Sequence, residues 1–433
     1  MSASAHLKNL LQVSVLLSIA LSFSIPAAAA STLTINANPP SVSSGSPSIL
    51  TWSSTGATSC AASGDWSGVK AASGNQSVIA GSAPATRTYT LTCSGSGGSV
   101  LQSVVVSVIN TGEGMPAGIP AIGAWYDATP MPVSAITSGT AAAPTLYSRA
   151  GMAEIVGTLA VACSYCIVDG AKVKGKVSLS GDHIVFRNSE VYGYMPGGND
   201  TVVSANGNNI VIRGNKIHDN GNMDLAVEHD VHGVSATNGT RKVWILDNEI
   251  YRNSGDSVQV GHAHTPGATG EIYIGRNSCY ADKENCVDLK IVDTSVVSEN
   301  VMSDYKGGDA GGGGGVAIVL HYCSQNTRVL NNTIRNSKVG VSVTSLLSVC
   351  PANARPIESR IIGNTFETLA DKAIQQWDGG NRIFVEKNTI NNTPVGIDLT
   401  NCATGSTVIE NTFLNVPVPT RYSGASCNPI LSY

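Results

Sequence analysis

The chain has 433 residues, a formal net charge of −4, 13% charged residues, 46 glycines and 10 cysteines. That length suits two or three domains, and so weak and negative a charge excludes the basic footprint of a nucleic-acid binder. Abundant Gly, Ser, Thr, Asn and Val with few charges point to a β-rich exported protein and away from a helical one.

Residues 1–30 read as a secretion signal. Lys8 supplies the positive charge, Leu10 to Ile25 the apolar run, and Ala27 to Ala30 a small-residue cleavage site. The run is short for a membrane anchor and polar residues interrupt it. No other stretch is long and apolar enough to span a membrane, so no membrane partner is expected. Ten cysteines suit an oxidised, exported chain. Sequence order suggests the local pairs Cys60–Cys93, Cys163–Cys166, Cys279–Cys286, Cys323–Cys350 and Cys402–Cys427, although order alone does not fix connectivity. The C-x-x-C spacing at Cys163 has no second copy, which favours a structural clip over zinc or redox chemistry.

Residues 31–110 form a separate unit. Short β-branched runs at Leu33–Ile35, Ile49–Trp52, Thr88–Thr92 and Val104–Val108 are punctuated by Ser, Gly and Pro. Such short strands with one Cys pair bracketing the middle predict a small β-sandwich. The motifs L-T-W-S-S-T-G-A-T-S-C and Y-T-L-T-C resemble bacterial immunoglobulin-like accessory domains, which implies a spacer or binding module. Trp52 and Trp66 are read either as a sugar platform or as core. Residues 111–124 are a Gly/Pro linker.

The second domain runs over residues 125–433, and from Ile184 onward it repeats. Segments such as I-V-I-R-G-N-K-I, V-W-I-L-D-N-E-I and T-R-V-L-N-N-T-I bring Ser189, Asn215, Asn248, Asn277, Asn300, Asn332, Asn364, Asn388 and Asn411 into register, at intervals of 23 to 33 residues. Repeats of that length with local period-two patterning predict a solenoid of short strands. A buried Asn at one turn can bond the next coil's backbone and amide, stacking into a ladder. This predicts an all-β, right-handed parallel β-helix. The uneven intervals mark inserted loops, including the glycines around Gly311 to Gly315 beside the cleft.

A second strand follows each ladder turn: D-S-V-Q-V-G, N-C-V-D-L-K, V-A-I-V-L-H, V-G-V-S-V-T, K-A-I-Q-Q-W. Its third and fifth residues should face the core. One outward column then reads Ser235, Gln259, Asp288, Val319, Ser342, Gln375, Asp398, and its neighbour includes Lys290, His321, Thr344 and Trp377. The organising stretch is Glu284 to Lys290, E-N-C-V-D-L-K.

That face suits cleavage of an acidic polysaccharide by β-elimination. The reaction needs a base for the proton beside the uronate carboxylate, a cation or donors to neutralise that carboxylate, and help for the leaving oxygen. Lys290 is the candidate base, given a lowered pKa; His321 is the alternative base or the acid, and Asp288 completes the catalytic set. Asp230, Asp256, Glu284 and Asp288 are candidate Ca²⁺ ligands through oxygen. Gln259, Trp377, His232, His262 and His264 are candidate substrate contacts. The histidines, with His229, also have spacings that suit a transition metal. Tyr305, Tyr322 and Trp377 are candidate stacking rings.

Residues 125–433 resemble the right-handed β-helix superfamily of secreted pectate lyase-like proteins. Family nine pectate lyases use an acidic calcium site beside a D-N-G-x-D-type strand and a Lys base. E-N-C-V-D-L-K is similar, with Glu284 and Cys286 as departures. Polygalacturonase motifs are not found as a set. The expectation is therefore an exported, monomeric bacterial polysaccharide lyase acting on an acidic polysaccharide, with Ca²⁺ as the one cofactor. Glycoside hydrolysis, C5-epimerisation and a non-catalytic adhesive role are the alternatives.

Overall fold

The computed structural model describes residues 31–38, 41–43, 47–79, 85–109, 115–149, 151–236, 239–261, 269–307, 314–322, 324–344, 358–377, 382–400, 402–424 and 427–432. The expected secretion signal, the Cys323–Cys350 pair, His262 and His264 lie outside them. Among the described residues no helix is long and apolar enough to cross a membrane. The chain divides into two compact units. One contains Ile49–Val78 and Thr88–Val105, and the other contains Val106–Tyr433.

The first 110 residues supply a three-stranded and a five-stranded sheet. Thr32–Asn38 pairs antiparallel with Pro47–Thr55, and Ala57–Gly64 with Ala85–Gly95. Cys60 and Cys93 are bonded and also sit directly opposite each other on paired strands. Their disulfide therefore lies within one sheet, unlike the inter-sheet bridge of antibody domains. Trp52 and Trp66 are both buried and meet edge to face at 5.5 Å. Each donates its indole N–H to a backbone carbonyl, of Ala71 and Thr90 respectively. They are core residues, and the sugar-platform reading of this pair is withdrawn.

The second unit is a parallel β-helix. Its strands form a 13-stranded and a 20-stranded sheet among the described residues, nearly every pairing being parallel. Connections between parallel strands run right-handed in about 98% of cases, which is the expected sense of the coil. Inside, identical positions stack in columns. Val258, Val287, Ile318, Val341, Ile374 and Ile397 follow one another in register and are fully buried. Burying each such side chain contributes about 1.5–3 kcal/mol.

The polar ladder is present as read from the repeats. The Asn215 backbone N–H and side-chain amide both donate to Asn248 Oδ1, at 2.9 and 3.0 Å. Asn248, Asn277, Asn300, Asn332, Asn364 and Asn388 repeat this toward the next coil, ending at Asn411. Each amide also donates to a backbone carbonyl, as Asn277 does to Ile245 at 2.8 Å. The residue before each ladder Asn is left-handed. Gly214 and Gly363 suit that position (φ 66° and 70°), but Arg276 (φ 52°), Glu299 (φ 57°) and Lys387 (φ 56°) also adopt it. A side chain there costs about 1–2 kcal/mol, and the ladder bonds on either side hold it in place.

Residues 115–126, expected as the end of a linker and the start of a domain, instead form a strap against the outer face of the 13-stranded sheet. Ile119, Ile122 and Trp125 pack on Val185, Val211, Trp244 and Tyr273. Trp244 donates its indole N–H to Pro120 O at 2.9 Å, and Arg328 its guanidinium to Gly118 O at 2.9 Å. Gly and Pro serve here for close approach to a sheet, not for flexibility. Cys163–Cys166 and Cys402–Cys427 are bonded as expected. Cys279 and Cys286 are not: both are free, buried thiols. They lie in the apolar interior, where they pack as small hydrophobes and share a hydrogen bond.

Candidate active site

Strand Val287–Lys290 lies between Val258–Val260 and Val316–His321, pairing Gln259 with Asp288, Asp288 with Val319, and Lys290 with His321. The next coils set Thr344 beside His321 and Trp377 beside Thr344. These positions floor a cleft of about 420 Å³ that runs from Asp230 and Glu284 to Gln375 and Trp377. The outward column is not a solvated face, however. Asp288, Val319, Ser342, Gln375 and Asp398 are all buried.

Asp288 is the hub. Its side chain is 4% exposed; one oxygen accepts from His321 Nδ1 at 2.9 Å and the other faces Lys290 Nζ at 3.2 Å. Burial pushes its carboxyl up. The His321 hydrogen bond and charge, then Lys290, outweigh burial and hold it below the usual carboxylate range. An ionised Asp288 fixes the proton of His321 on Nδ1, which leaves Nε2 as an acceptor. Burial pulls the Lys290 ammonium down, but the Asp288 charge reverses that and raises it. The Asp256 charge adds to this, but less. A base made of lysine needs the opposite shift, so Lys290 stands in this site as a cation.

Asp256 sits beneath the floor, 1% exposed. Its oxygens accept from the Asn285 amide at 2.9 Å and the Gln259 amide at 3.3 Å. Burial first, then the Asp288 and Glu284 charges, push its carboxyl well above the usual range. His232, Asp256 and Glu284 each bring one ligand atom within 4.8 Å of the others. Of the other two carboxylates in the expected calcium set, Asp288 faces His321 and Lys290 with its two oxygens, and Asp230 lines the same cleft as Glu284. His232 Nδ1 accepts the Asp256 backbone N–H at 3.0 Å, so in the neutral ring the proton sits on Nε2. Among the described residues, His232, Asp256 and Glu284 are the side chains here that could hold a metal ion, with Asp256 and Glu284 offering oxygen.

The remaining histidine expectation also changes. His229 Nδ1 accepts from Asn222 N–H at 2.9 Å, and Nε2 donates to Pro196 O at 3.1 Å; it ties down a loop. Beside it, the buried Lys283 ammonium donates to the carbonyls of Val227, His229 and Asn222. Tyr305 is fully buried and stacks on no sugar; its hydroxyl donates to Asp282 at 3.2 Å. Asp282 Oδ1 accepts from the Asn253 N–H and amide, and Oδ2 also accepts from Ser257 Oγ. Burial raises the Asp282 carboxyl to about 7. Tyr322 stacks on His321 with ring centres 5.2 Å apart. Sequence reasoning missed Asn285, Lys283 and Asp282. The only available signal was that polar residues recur just ahead of two of the cleft strands, as Asp256-Ser257 and Glu284-Asn285 do.

No family model matches the chain, and no curated protein matches it. Among solved structures, the chain is similar to the catalytic unit of a thermostable family 87 α-1,3-glucanase from Streptomyces thermodiastaticus. That match has 13% identity, covers 95% of this chain and 86% of the other, and has a TM-score of 0.38. It is also similar to a family 28 exopolygalacturonase from Yersinia enterocolitica, with 9% identity, coverage of 93% and 98%, and a TM-score of 0.29. Likeness this distant carries no argument about activity, which rests on the cleft itself.

Proposed function

We propose that the protein is an exported polysaccharide-cleaving enzyme that acts on a uronate-containing polymer by β-elimination. The observation that carries this is the Asp288 bridge between His321 and Lys290 on the floor of an open cleft. His321 is the base: Asp288 fixes its tautomer and leaves Nε2 to take the proton beside the uronate carboxylate. The Lys290 ammonium neutralises that carboxylate as negative charge builds on it. The electron pair left behind forms the new double bond as the bond to the glycosidic oxygen breaks, and the proton taken by His321 is returned to that departing oxygen. The three described disulfides support export into an oxidising compartment. The sandwich unit is assigned as an accessory module, and the working unit as a monomer.

Glycoside hydrolysis is the second reading. It is favoured by the further carboxylates Asp230 and Glu284, which line the same cleft. One assay separates the two. The full chain is incubated with a panel of uronate polymers while reducing ends and the ultraviolet absorbance of unsaturated ends are followed together. Both signals should rise with the wild type and neither with His321→Ala. Reducing ends without absorbance would replace elimination by hydrolysis, and neither signal on any polymer would leave epimerisation or binding. Activity lost to a chelator and restored by Ca²⁺ would bring a cation into the reaction.

A further inference from the structure

We infer that Trp377 is a distal sugar-ring subsite of the same cleft, a place where one pyranose of a bound polymer lies flat on an indole face. The inference rests on the cleft being a polysaccharide groove, but not on the elimination chemistry. Trp377 is 52% exposed, and it lines the cleft at the end away from Asp230 and Glu284. Half-exposed on the cleft wall, the indole offers apolar ring surface that a pyranose face can cover.

The ring is also held. Lys372 Nζ lies 5.8 Å from its centroid, and that ammonium is fixed in turn by Asp398 at 3.3 Å and Gln375 Oε1 at 3.4 Å. The Gln375 amide donates to Ser342 Oγ at 3.0 Å. The chain of contacts Asp398, Lys372, Gln375, Ser342 thus backs the indole with a cation. A fixed ring stacks on a sugar with little further loss of freedom.

Its place along the groove predicts a length requirement. Lys290, His321, Thr344 and Trp377 occupy successive coils in register. Three coil spacings of about 4.8 Å put Trp377 about 14 Å from Lys290 along the groove. A pyranose in an extended chain is about as long as one spacing, so Trp377 meets a ring roughly three residues from the one at the reaction centre. Short oligomers would fill the centre without reaching it.

The tryptophans themselves provide the test. The chain has five. Trp52, Trp66, Trp125 and Trp244 are buried, so Trp377 dominates quenching of emission by a soluble quencher. The full chain is titrated with uronate oligomers and neutral hexose oligomers from dimer to hexamer, reading acrylamide quenching and binding heat together. The expected result is protection of emission by tetramers and longer but not by dimers, with Trp377→Ala binding the hexamer about tenfold more weakly and the dimer unchanged. Trp377→Phe should keep most of the hexamer affinity. If no oligomer of either kind alters the quenching, or Trp377→Ala keeps full hexamer affinity, the subsite is overturned. Protection by long oligomers from a protein that makes no unsaturated ends would leave the subsite standing and remove the elimination reading instead.

Discussion

The ladder turn and the cleft strand belong to the same coils and repeat at the same spacing, yet they behave as opposites. At the ladder turn almost every coil places the same amide in the same bond, so any one Asn means what its neighbours mean. Along the cleft the register is equally strict, but the column reads Lys290, His321, Thr344, Trp377. Sameness in the first region measures what stacking requires. Departure from sameness in the second marks residues that stacking does not explain. One backbone thus separates the two demands by face.

Substitutions sharpen this contrast, and the largest effect belongs to the cleft. His321→Ala should lower turnover by at least about a hundredfold, the usual contribution of a general base, with an unchanged melting temperature. Asp288→Asn should lose much of the same activity and is not rescued by adding base. A melting temperature that falls along with the activity would assign His321 to structure.

The next effect is a pH dependence seated below the cleft. Asp282 has a carboxyl raised from 3.8 to about 7 by burial. The native state therefore keeps a proton that the unfolded chain releases. That contribution to stability is complete below about pH 4 and is lost as pH rises to about 7, on the order of a few kcal/mol. Asp282→Asn should flatten this part of the melting curve against pH, since the Ser257 and Tyr305 hydroxyls can reorient toward an amide. An unchanged slope would place the titration elsewhere.

Smaller still is the break in the ladder. Asn332→Leu orphans partners on two coils and should cost about 1–3 kcal/mol in chemical denaturation. Ser342→Ala, in the cleft column, removes one hydrogen bond to Gln375 and should cost about 0.5–1.5 kcal/mol. Equal losses would erase the distinction between the two faces.

The ladder and the membership of the cleft were legible because both are written as period and register. Asn277 and Asp288 could be placed on their coils by counting. Burial along the column was not legible. Ser342 and Asp288 alternate with core residues as solvent-facing residues do, and only the folded structure shows them buried. The shift on Lys290 was misread for the same reason: proximity to Asp288 could be counted, whereas its sign depends on which of burial and charge prevails. His229 looked like a ligand by spacing, but its partners Asn222 and Pro196 come from loops whose paths no period describes. Residues 115–124 of the strap read as a linker because Gly and Pro serve flexible and tightly packed chain alike.

The ladder also has a direction. From Asn215 to Asn388 every side-chain amide donates to the Asn oxygen of the coil after it, and from Asn248 to Asn411 every side-chain oxygen accepts from the coil before it, so the amide dipoles point the same way along the axis. Aligned dipoles polarise one another. The column is therefore an electrical object as well as a row of fasteners, with oxygen facing the Ser189 end and NH₂ facing the Asn411 end. A substitution in its middle interrupts the polarisation on both sides, whereas one near either end interrupts only one. Two adjacent substitutions share that interruption, so their combined cost is less than the sum of the two.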